Sequence, residues 1–486
     1  MKMKPSIHRK PIAQKRPGNA PLALLFILLL SLSALITGCG EGGQKNDSLT
    51  IFAPTPQIAE ELQVVVNRYQ SKFPDVEVTI MELPDGCPKF NLIPTGNVDR
   101  QILDFHEQYE AYLAQLEPVY QSLRDDLRVG VGPDLVLFDE AVFPDVNKTI
   151  LSGTFLELNK LIEDDPEFDL ADFSEPVLKA GQVQGEQRVF PLYYDIGVLL
   201  SSEESLEAFG LNRGKFSDFN SLLAEAARCA APASEQGARL FYDAVFPADW
   251  YSYAGLGGVD YGSRKAELDS PEFRAFQESY RALYEAGQLG QPEPYEKTFG
   301  GAWKTAYPPA FADGEAVLLP QQHFFDAISL CLNLSSHELT PVLSPIRKAD
   351  GGIQAQVLLS AGIPSASRNQ KNAFEFLKLL ACGEYQSLPY SRPTVTELFP
   401  RTLLEHLPVN NRYLQARLDN LTDIQGDADL VNETYGKWVT EIGSAVYPSD
   451  LDDRINEWFA PFHRGESSYE DCLKKAQEQL TIYITE

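Results

Sequence analysis

The chain has 486 residues, with 41 lysines and arginines against 69 aspartates and glutamates and a formal net charge of −28. This length is typical of more than one domain, because single hydrophobic cores rarely grow beyond about 250–300 residues. The acidic balance argues against nucleic acid and anionic lipid headgroups as general partners, since both attract clustered lysine and arginine. The 33 glycines and 33 prolines follow no period, which excludes collagen-like and low-complexity classes.

The N-terminal segment has the pattern of a secretory signal. Residues 1–38 carry six lysines and arginines and no acid, and residues 22–36 form an apolar run interrupted only by two serines. An apolar run of about 15 residues after a basic region is typical of a signal peptide and is short for a bilayer span. The sequence therefore predicts a signal peptide over 1–38. The polar, glycine-rich stretch that follows predicts a flexible tether over 39–47.

The folded part opens with a strand–helix–strand pattern. Leu49 and Ile51 predict a short strand, and Thr55 followed by Pro56 predicts the start of a helix. The apolar residues of that helix recur at helical spacing: Ile58, Leu62, Val65, Tyr69 and Phe73. Residues 76–80 then alternate between apolar and polar, as in a strand. This order predicts a βαβ unit and a parallel sheet.

Later segments supply another strand and two capped helices. Residues 133–138 predict a buried strand that ends at Asp139, where α/β sheets place ligand-binding loops. Ser270 followed by Pro271 predicts a helix start. Ser467 and Glu470 predict a capping box at the start of the last helix.

Eight stretches, taken in order, resemble the cluster 1 extracellular solute-binding lipoproteins, which are the ligand receptors of ABC importers of the maltose-binding type. They are LITGC at 35–39, KFPDVEV at 72–78, GPDLV at 132–136, FLELN at 155–159, PLYYDIGVL at 191–199, FADGEAV at 311–317, IPSASRN at 363–369, and Gly465, Tyr469 and Leu473 near the end. The sequence departs from the family in two places. Region 84–127 is longer, and residues 320–323 read PQQH where a glycine and an aromatic residue are common.

The resemblance implies an α/β, two-lobed periplasmic-binding-protein-like fold of type II. Its lobes are discontinuous, are joined by a hinge, and enclose a ligand cleft. We expect residues 48–192 plus 360–410 in lobe 1 and residues 198–358 plus 411–486 in lobe 2. The chain would cross the hinge near 192–198, 358–362 and 408–413. The first stretch resembles a lipobox, which implies that Cys39 is lipidated and that the chain is cleaved before it.

The resemblance also implies a function. We expect a monomeric receptor, lipid-anchored on the extracytoplasmic face of the cell membrane, that binds an oligosaccharide or other sugar and delivers it to ABC permease subunits. A receptor for a different solute, such as a polyamine, is an alternative within the same class. A surface carbohydrate-processing enzyme or an adhesin is an alternative from another class.

Sugars present apolar C–H faces and rings of hydroxyls, so their receptors combine aromatic side chains with carboxylates and amides. Two aromatic, turn-like segments fit this chemistry, one with Trp250 and Tyr251 and one with Trp303, although packing at a lobe edge is the alternative. By resemblance, Tyr193, Tyr194 and Asp195 would lie at the cleft floor, with a purely architectural hinge role as the alternative. The remaining candidates are Phe52, Asp139, Gln322 and His323.

Catalytic and metal-binding patterns are missing from the sequence. It contains no HExxH, GxSxG or phosphate-loop motif, and its histidines are isolated. We therefore expect no enzyme activity, no cofactor and no metal. The cysteines after position 39 form no CxxC pair, and the sequence leaves their pairing open: Cys87, Cys229, Cys331, Cys382 and Cys472.

Overall fold

The computed structural model describes residues 48–88, 98–235, 237–241, 248–257, 259–261, 263, 265–266, 268–289, 316–321, 324–382, 406–425 and 431–485. The predicted signal peptide, tether and lipidation site at Cys39 therefore lie outside the described residues. None of the helices within these ranges is both long enough and apolar enough to cross a membrane.

Strands and helices are interspersed along the chain. The first part contains β1 (Ser48–Phe52), α1 (Pro56–Lys72), β2 (Glu77–Ile80), α2 (Val98–Arg128), β3 (Leu135–Phe138), α3 (Val146–Leu151), α4 (Asn159–Glu163), α5 (Glu175–Leu178), β4 (Gln182–Val183), β5 (Glu186–Gln187), β6 (Phe190–Ile196), β7 (Val198–Ser202), α6 (Glu203–Ala208) and α7 (Phe219–Glu235). The second part contains β8 (Arg239–Phe241), α8 (Ala248–Ala254), β9 (Val259–Asp260), β10 (Lys265–Ala266), α9 (Pro271–Glu285), β11 (Ala316–Gln321), α10 (Phe324–Ser336), β12 (Pro341–Pro345), β13 (Ile353–Gly362), α11 (Gln370–Cys382), β14 (Leu407–Pro408), α12 (Asn411–Gln425), β15 (Ile442–Val446), α13 (Asp450–His463) and α14 (Tyr469–Thr485).

The larger sheet, called the first sheet, has the strand order β14-β6-β13-β3-β1-β2, with β15 also paired to β13. Strand β1 pairs in parallel with β2 and β3. Strand β13 runs antiparallel to both β3 and β6. Because β1, β2 and β3 run in the same direction, their carboxyl ends lie at one edge of the sheet. The loops that follow them therefore share that edge.

The second sheet has the order β12-β7-β11-β8. Its strand β7 pairs antiparallel with β11 and β12, whereas β11 and β8 are parallel. The chain passes from the first sheet to the second at Gly197, the single residue between β6 and β7. The predicted α/β fold with two sheet-containing parts is therefore confirmed.

The first βαβ unit forms as its residue pattern predicts. The Thr55 side chain accepts a hydrogen bond from the Ile58 N–H at 3.3 Å and so caps α1, with Pro56 in its first turn. The buried face of α1 consists of Ile58, Leu62, Val65, Val66 and Tyr69. This is the apolar stripe of the sequence, with Val66 added.

The buried apolar side chains of the described residues form two clusters. The first contains the interior of the first sheet and extends to Tyr447, and the second contains α7, α8, α9, α13 and α14. Along β7, Leu199 belongs to the second cluster and Leu200 to the first, because successive strand residues point to opposite faces. The predicted lobe boundaries stay a prediction. Buried side chains between Leu414 and Tyr447, expected in lobe 2, lie in the first cluster.

Candidate functional site

Strand β6 carries three of the predicted ligand residues and leads directly to the second sheet. Tyr193, Tyr194 and Asp195 are all at most 1% exposed. Tyr193 lies opposite Leu359 of β13, and Tyr194 lies opposite Val357. On the other side of β6, the same two tyrosines pair with β14. All three residues are therefore held in the first sheet at the point where the chain leaves it.

The hydroxyl groups of Tyr193 and Tyr194 are buried, and neither has a hydrogen-bond partner in the described part of the chain. Burial raises the pKa of both phenols well above the usual value, so both hydroxyls are protonated donors at neutral pH. A buried polar group without a partner costs free energy, and proteins satisfy such groups with water or a ligand. Because successive strand residues point to opposite faces of a sheet, β6 carries one such hydroxyl on each face, and each can be satisfied separately by a polar ligand or by water.

Asp195 forms a buried contact with a residue that is distant in sequence. One of its carboxylate oxygens lies 2.8 Å from Nδ1 of His406, which precedes β14. Arg417 of α12 donates to the backbone oxygen of His406 at 3.4 Å. In the sequence, His406 is isolated from other histidines and belongs to no motif. The only signal for this contact was the expected hinge crossing near 408–413, which would bring the two segments together.

Gly197 allows close packing where β6 ends. A Cβ atom at this position would lie 2.8 Å from the Tyr253 ring and 2.9 Å from Ile346. The Ile346 N–H also donates to the Gly197 oxygen at 2.8 Å. Only glycine gives these neighbours room, so the residue fixes how the chain enters the second sheet.

Phe52 and Asp139 lie at the ends of β1 and β3, in the same sheet as β6. Phe52 is fully buried and packs edge-to-face on Tyr120 of α2, with ring centroids 6.2 Å apart. Asp139 is half-buried and accepts hydrogen bonds from the N–H groups of Ala141 and Val142 at 3.1 and 3.2 Å. Burial raises the pKa of Asp139, although these backbone donors act in the opposite direction. In this structure the Asp139 carboxylate therefore organises its own loop.

The register of the first sheet relates these two groups of candidates. Ser360 of β13 lies opposite Phe138 on one side and Pro191 on the other. Neighbouring strands are about 4.8 Å apart, so the end of β3 and the start of β6 are separated by about 10 Å. The Ser360 hydroxyl is 3.0 Å from that of Tyr447, a buried polar pair that the sequence did not reveal.

Trp250 and Tyr251 occupy a different environment. The expected surface turn is wrong, because these residues lie in helix α8, whose short aromatic sequence lacks a recognisable helical period. Trp250 is 2% exposed and stacks on Phe219, with centroids 4.3 Å apart. Tyr251 is fully buried and accepts a hydrogen bond from Gln277 at 2.8 Å. Both residues pack inside the second cluster, and their proposed contact with a ligand stays a prediction.

Three further candidates, Trp303, Gln322 and His323, lie outside the described residues. Within the described ranges, no group of three or more histidine, cysteine or acidic side chains is arranged to bind a metal ion. Cys87, Cys229, Cys382 and Cys472 are free thiols.

Polar contacts also join elements of the two clusters near the ends of β13 and β3. Gln354 of β13 donates to the backbone oxygen of Ser252 in α8, and the Ser252 hydroxyl donates to Asp452 at the start of α13. Separately, the Tyr483 hydroxyl of α14 lies 2.7 Å from a carboxylate oxygen of Asp145 and 2.7 Å from one of Asp450. None of these long-range contacts has a local sequence signal.

Comparison with known proteins gives results at the level of structure. No protein-family model matches the sequence, and no curated protein matches it significantly. The sugar-binding protein MalE from Xanthomonas citri superposes with a TM-score of 0.61 at 12% identity, covering 90% of this chain and 97% of its own. The ABC substrate-binding protein of Listeria monocytogenes in complex with cycloalternan gives 0.54 at 15% identity, covering 90% and 99%. The cyclic alpha-maltosyl-1,6-maltose binding protein from Arthrobacter globiformis gives 0.55 at 15% identity, covering 90% and 98%.

These likenesses span nearly the full length of each compared protein. The chain therefore has the two-lobed α/β fold of the substrate-binding proteins of ABC transporters. In such a fold, β6 and Gly197 connect one sheet to the other, and the carboxyl ends of β1, β2 and β3 carry the loops of the first part.

Proposed function

We propose that this protein is an extracytoplasmic solute receptor of an ABC importer and that its ligand is an oligosaccharide or another sugar. The observation that carries the proposal is that the hydroxyls of Tyr193 and Tyr194, which precede Asp195 on the strand that joins the two sheets, are buried and have no hydrogen-bond partner among the described residues. The similar structures support it, because they are described as sugar-binding or substrate-binding proteins. They are binding proteins, which favours a receptor over an enzyme.

The chemistry of β6 suits a sugar. Tyrosine hydroxyls donate hydrogen bonds to sugar oxygens, whereas a carboxylate such as that of Asp195 accepts hydrogen bonds from sugar hydroxyls. A ligand that touches both parts of the molecule binds the closed arrangement better and so shifts the population toward it. The permease would then recognise the closed, loaded receptor.

A polyamine receptor is the second candidate within the same class. It is favoured by the net charge of −28 and by the acidic start of α13, where Asp450, Asp452 and Asp453 occupy the first turn. A polyamine would need carboxylates that face it without partners. Asp195 is paired with His406 and Asp450 with Arg454, the latter at 3.0 Å, so the hydroxyl-rich strand favours the sugar.

We also propose how the chain divides into lobes. The predicted division, 48–192 plus 360–410 against 198–358 plus 411–486, would need an adjustment near the C-terminus. Tyr447 belongs to the first hydrophobic cluster and Leu451 to the second, which favours a final crossing between them. We expect limited proteolysis to cut between Tyr447 and Leu451, where the intervening residues are partly exposed, before it cuts within either cluster.

Localisation is proposed from the sequence. A lipidated Cys39 would anchor the receptor, as a monomer, on the outer face of the membrane, where it meets permease subunits. Cys39→Ser should release the chain from the membrane fraction or leave it unprocessed, because the thiol that carries the lipid is missing. An unchanged membrane-bound pool with unchanged gel mobility would contradict the anchor without affecting the sugar proposal.

The direct test of function is ligand capture. Native mass spectrometry and thermal-shift measurements would compare the purified protein alone, with a series of maltooligosaccharides, and with spermidine. We expect one saccharide to bind in a one-to-one complex, and at 100 times its Kd to stabilise the fold by about 2.7 kcal/mol. Binding of spermidine and of none of the saccharides would show that the ligand is a polyamine and not a sugar. Release of more than one equivalent of hydrolysis product per protein molecule would show that the protein is an enzyme and not a receptor.

A further inference from the structure

Helix α2 contacts the loop after each of the three parallel strands of the first sheet. The Tyr120 hydroxyl donates to the backbone oxygen of Pro54, after β1, at 2.7 Å. The Tyr112 hydroxyl donates to the backbone oxygen of Pro84, after β2, at 3.1 Å. Arg124 Nη1 donates to the backbone oxygen of Val142, after β3, at 2.7 Å. All three acceptors lie within four residues of a strand end.

The loops after β1 and β2 have limited means of fixing themselves. Pro54 and Pro84 have no N–H group, so neither can donate a backbone hydrogen bond at that position. Side-chain donors from α2 anchor the same residues through their carbonyl oxygens instead. Tyr120 adds an apolar contact, because its ring packs on Phe52, the last residue of β1.

The three donors come from one continuous, well-anchored element. Helix α2 spans 31 residues, and Tyr112, Leu116, Tyr120, Leu123 and Leu127 are buried along it. A side chain that belongs to a packed helix loses little further freedom when it binds a loop. A single rigid element therefore sets the positions of three loops relative to one another.

We infer that α2 is a positioning helix for the first-sheet side of the ligand site, acting through Tyr112, Tyr120 and Arg124. The inference rests on the proposed function in one respect: the loops after β1, β2 and β3 are taken to face the ligand. The helix touches loop backbone rather than ligand. Its role is to preorganise the loops, which lowers the ordering cost of binding.

Hydrogen exchange in the absence of ligand tests the positioning itself. Tyr120→Phe removes the hydroxyl and keeps the ring, and it should speed exchange at the Ile58 and Ala59 amides by roughly three- to tenfold, as expected for the loss of one hydrogen bond. Arg124→Met should do the same at Val142 and Phe143. Tyr69→Phe is the matched control, because its hydroxyl also donates to a backbone oxygen, that of Asn372 at 3.4 Å, between helices α1 and α11.

Exchange that rises only at the amides named for each mutation, which bond to residues of the anchored loop, supports positioning. Unchanged exchange, or a uniform rise through the first sheet like that of the control, would overturn it. The same variants are then titrated with the maltooligosaccharide that binds wild type. Affinity three- to tenfold weaker at nearly unchanged melting temperature supports the link to the ligand, and unchanged affinity overturns that link. If no sugar binds wild type, the proposed function fails, whereas the exchange result still decides whether α2 positions the loops.

Discussion

Two aromatic clusters predicted to bind the ligand differ in how their polar groups are satisfied. Tyr193 and Tyr194 on β6 are as deeply buried as Trp250 and Tyr251 on α8. On α8, however, the Tyr251 hydroxyl accepts a hydrogen bond from Gln277, and Trp250 stacks on a phenylalanine. On β6, the hydroxyls have no partner among the described residues. The Tyr251 hydroxyl is therefore satisfied inside the core, whereas the two β6 hydroxyls keep a donor that no described residue accepts.

The largest effect is expected for Trp250→Ala. Removing a large side chain from a packed core leaves a cavity, so the free energy of unfolding should fall by about 3–5 kcal/mol in urea denaturation. Trp458→Ala is the control, because Trp458 packs only partly buried against the same cluster and should cost less. A nearly unchanged free energy of unfolding together with lost sugar binding would instead indicate that Trp250 contacts the ligand.

The satisfied network around Tyr251 should make stability depend on pH. Gln277 also lies 2.6 Å from Nε2 of His463, and burial, aided by Arg464 and Arg281, lowers the pKa of His463 to about 4. The unfolded histidine, with a pKa of 6.5, binds a proton first. The contribution of His463 to the free energy of unfolding is therefore fully present above pH 6.5. It is lost as the pH drops toward 4, which lowers the free energy of unfolding by on the order of 3 kcal/mol.

This pH dependence is measured by urea unfolding between pH 4 and 7.5. His463→Gln cannot titrate, so its unfolding curve should vary less with pH, and the difference between the two proteins isolates the histidine. If the free energies of unfolding of wild type and His463→Gln vary with pH in parallel, His463 is not a buried neutral group.

Gly197→Ala tests the end of β6. The added methyl group would meet Tyr253 and Ile346, and overpacking of this kind costs about 1–3 kcal/mol. Gly443→Ala is the matched control, because a Cβ there has no neighbour within 4 Å. Equal melting temperatures for the two variants would contradict the close approach at Gly197.

The smallest effect is expected for Tyr483→Phe. The hydroxyl of Tyr483 differs from that of Tyr194 in its hydrogen bonding, because two carboxylates lie within hydrogen-bonding distance of it. Its loss should reduce the free energy of unfolding by about 1.5 kcal/mol, as for a bond to a charged group. Tyr284→Phe, at an exposed position, should change nothing measurable. Equal stability of the two variants would mean that the Tyr483 contacts are not formed in solution.

Local patterns predicted local structure well. The stripe and cap of α1 form as expected, and Ser270 caps α9 through the Phe273 N–H at 3.0 Å. The last helix differs slightly. Its cap is Ser468, which accepts from the Asp471 N–H at 3.1 Å, one residue after the predicted Ser467. Neighbouring serines with acids three residues later make these two registers equivalent in sequence.

The site was only partly predictable. The β6 candidates came from a resemblance and not from periodicity. The contact of Asp195 with His406 joins residues 211 positions apart, so it depends on how β14 and β6 pair. The aromatic residues of α8 were misread for a related reason. A seven-residue helix shows too little periodicity to be distinguished from a turn, and its burial comes from helices elsewhere in the chain.

Sugar binding by β6 is tested most directly by calorimetric titration of wild type, Tyr194→Phe and Asp195→Asn with the maltooligosaccharide series, with Tyr69→Phe as the control. If β6 binds the sugar, wild type and the control should bind alike. Tyr194→Phe should then lose about three- to tenfold in affinity, and Asp195→Asn about ten- to a hundredfold, with all four proteins folded. Equal affinity of all four proteins for the same sugar would contradict the claim that β6 forms the ligand site.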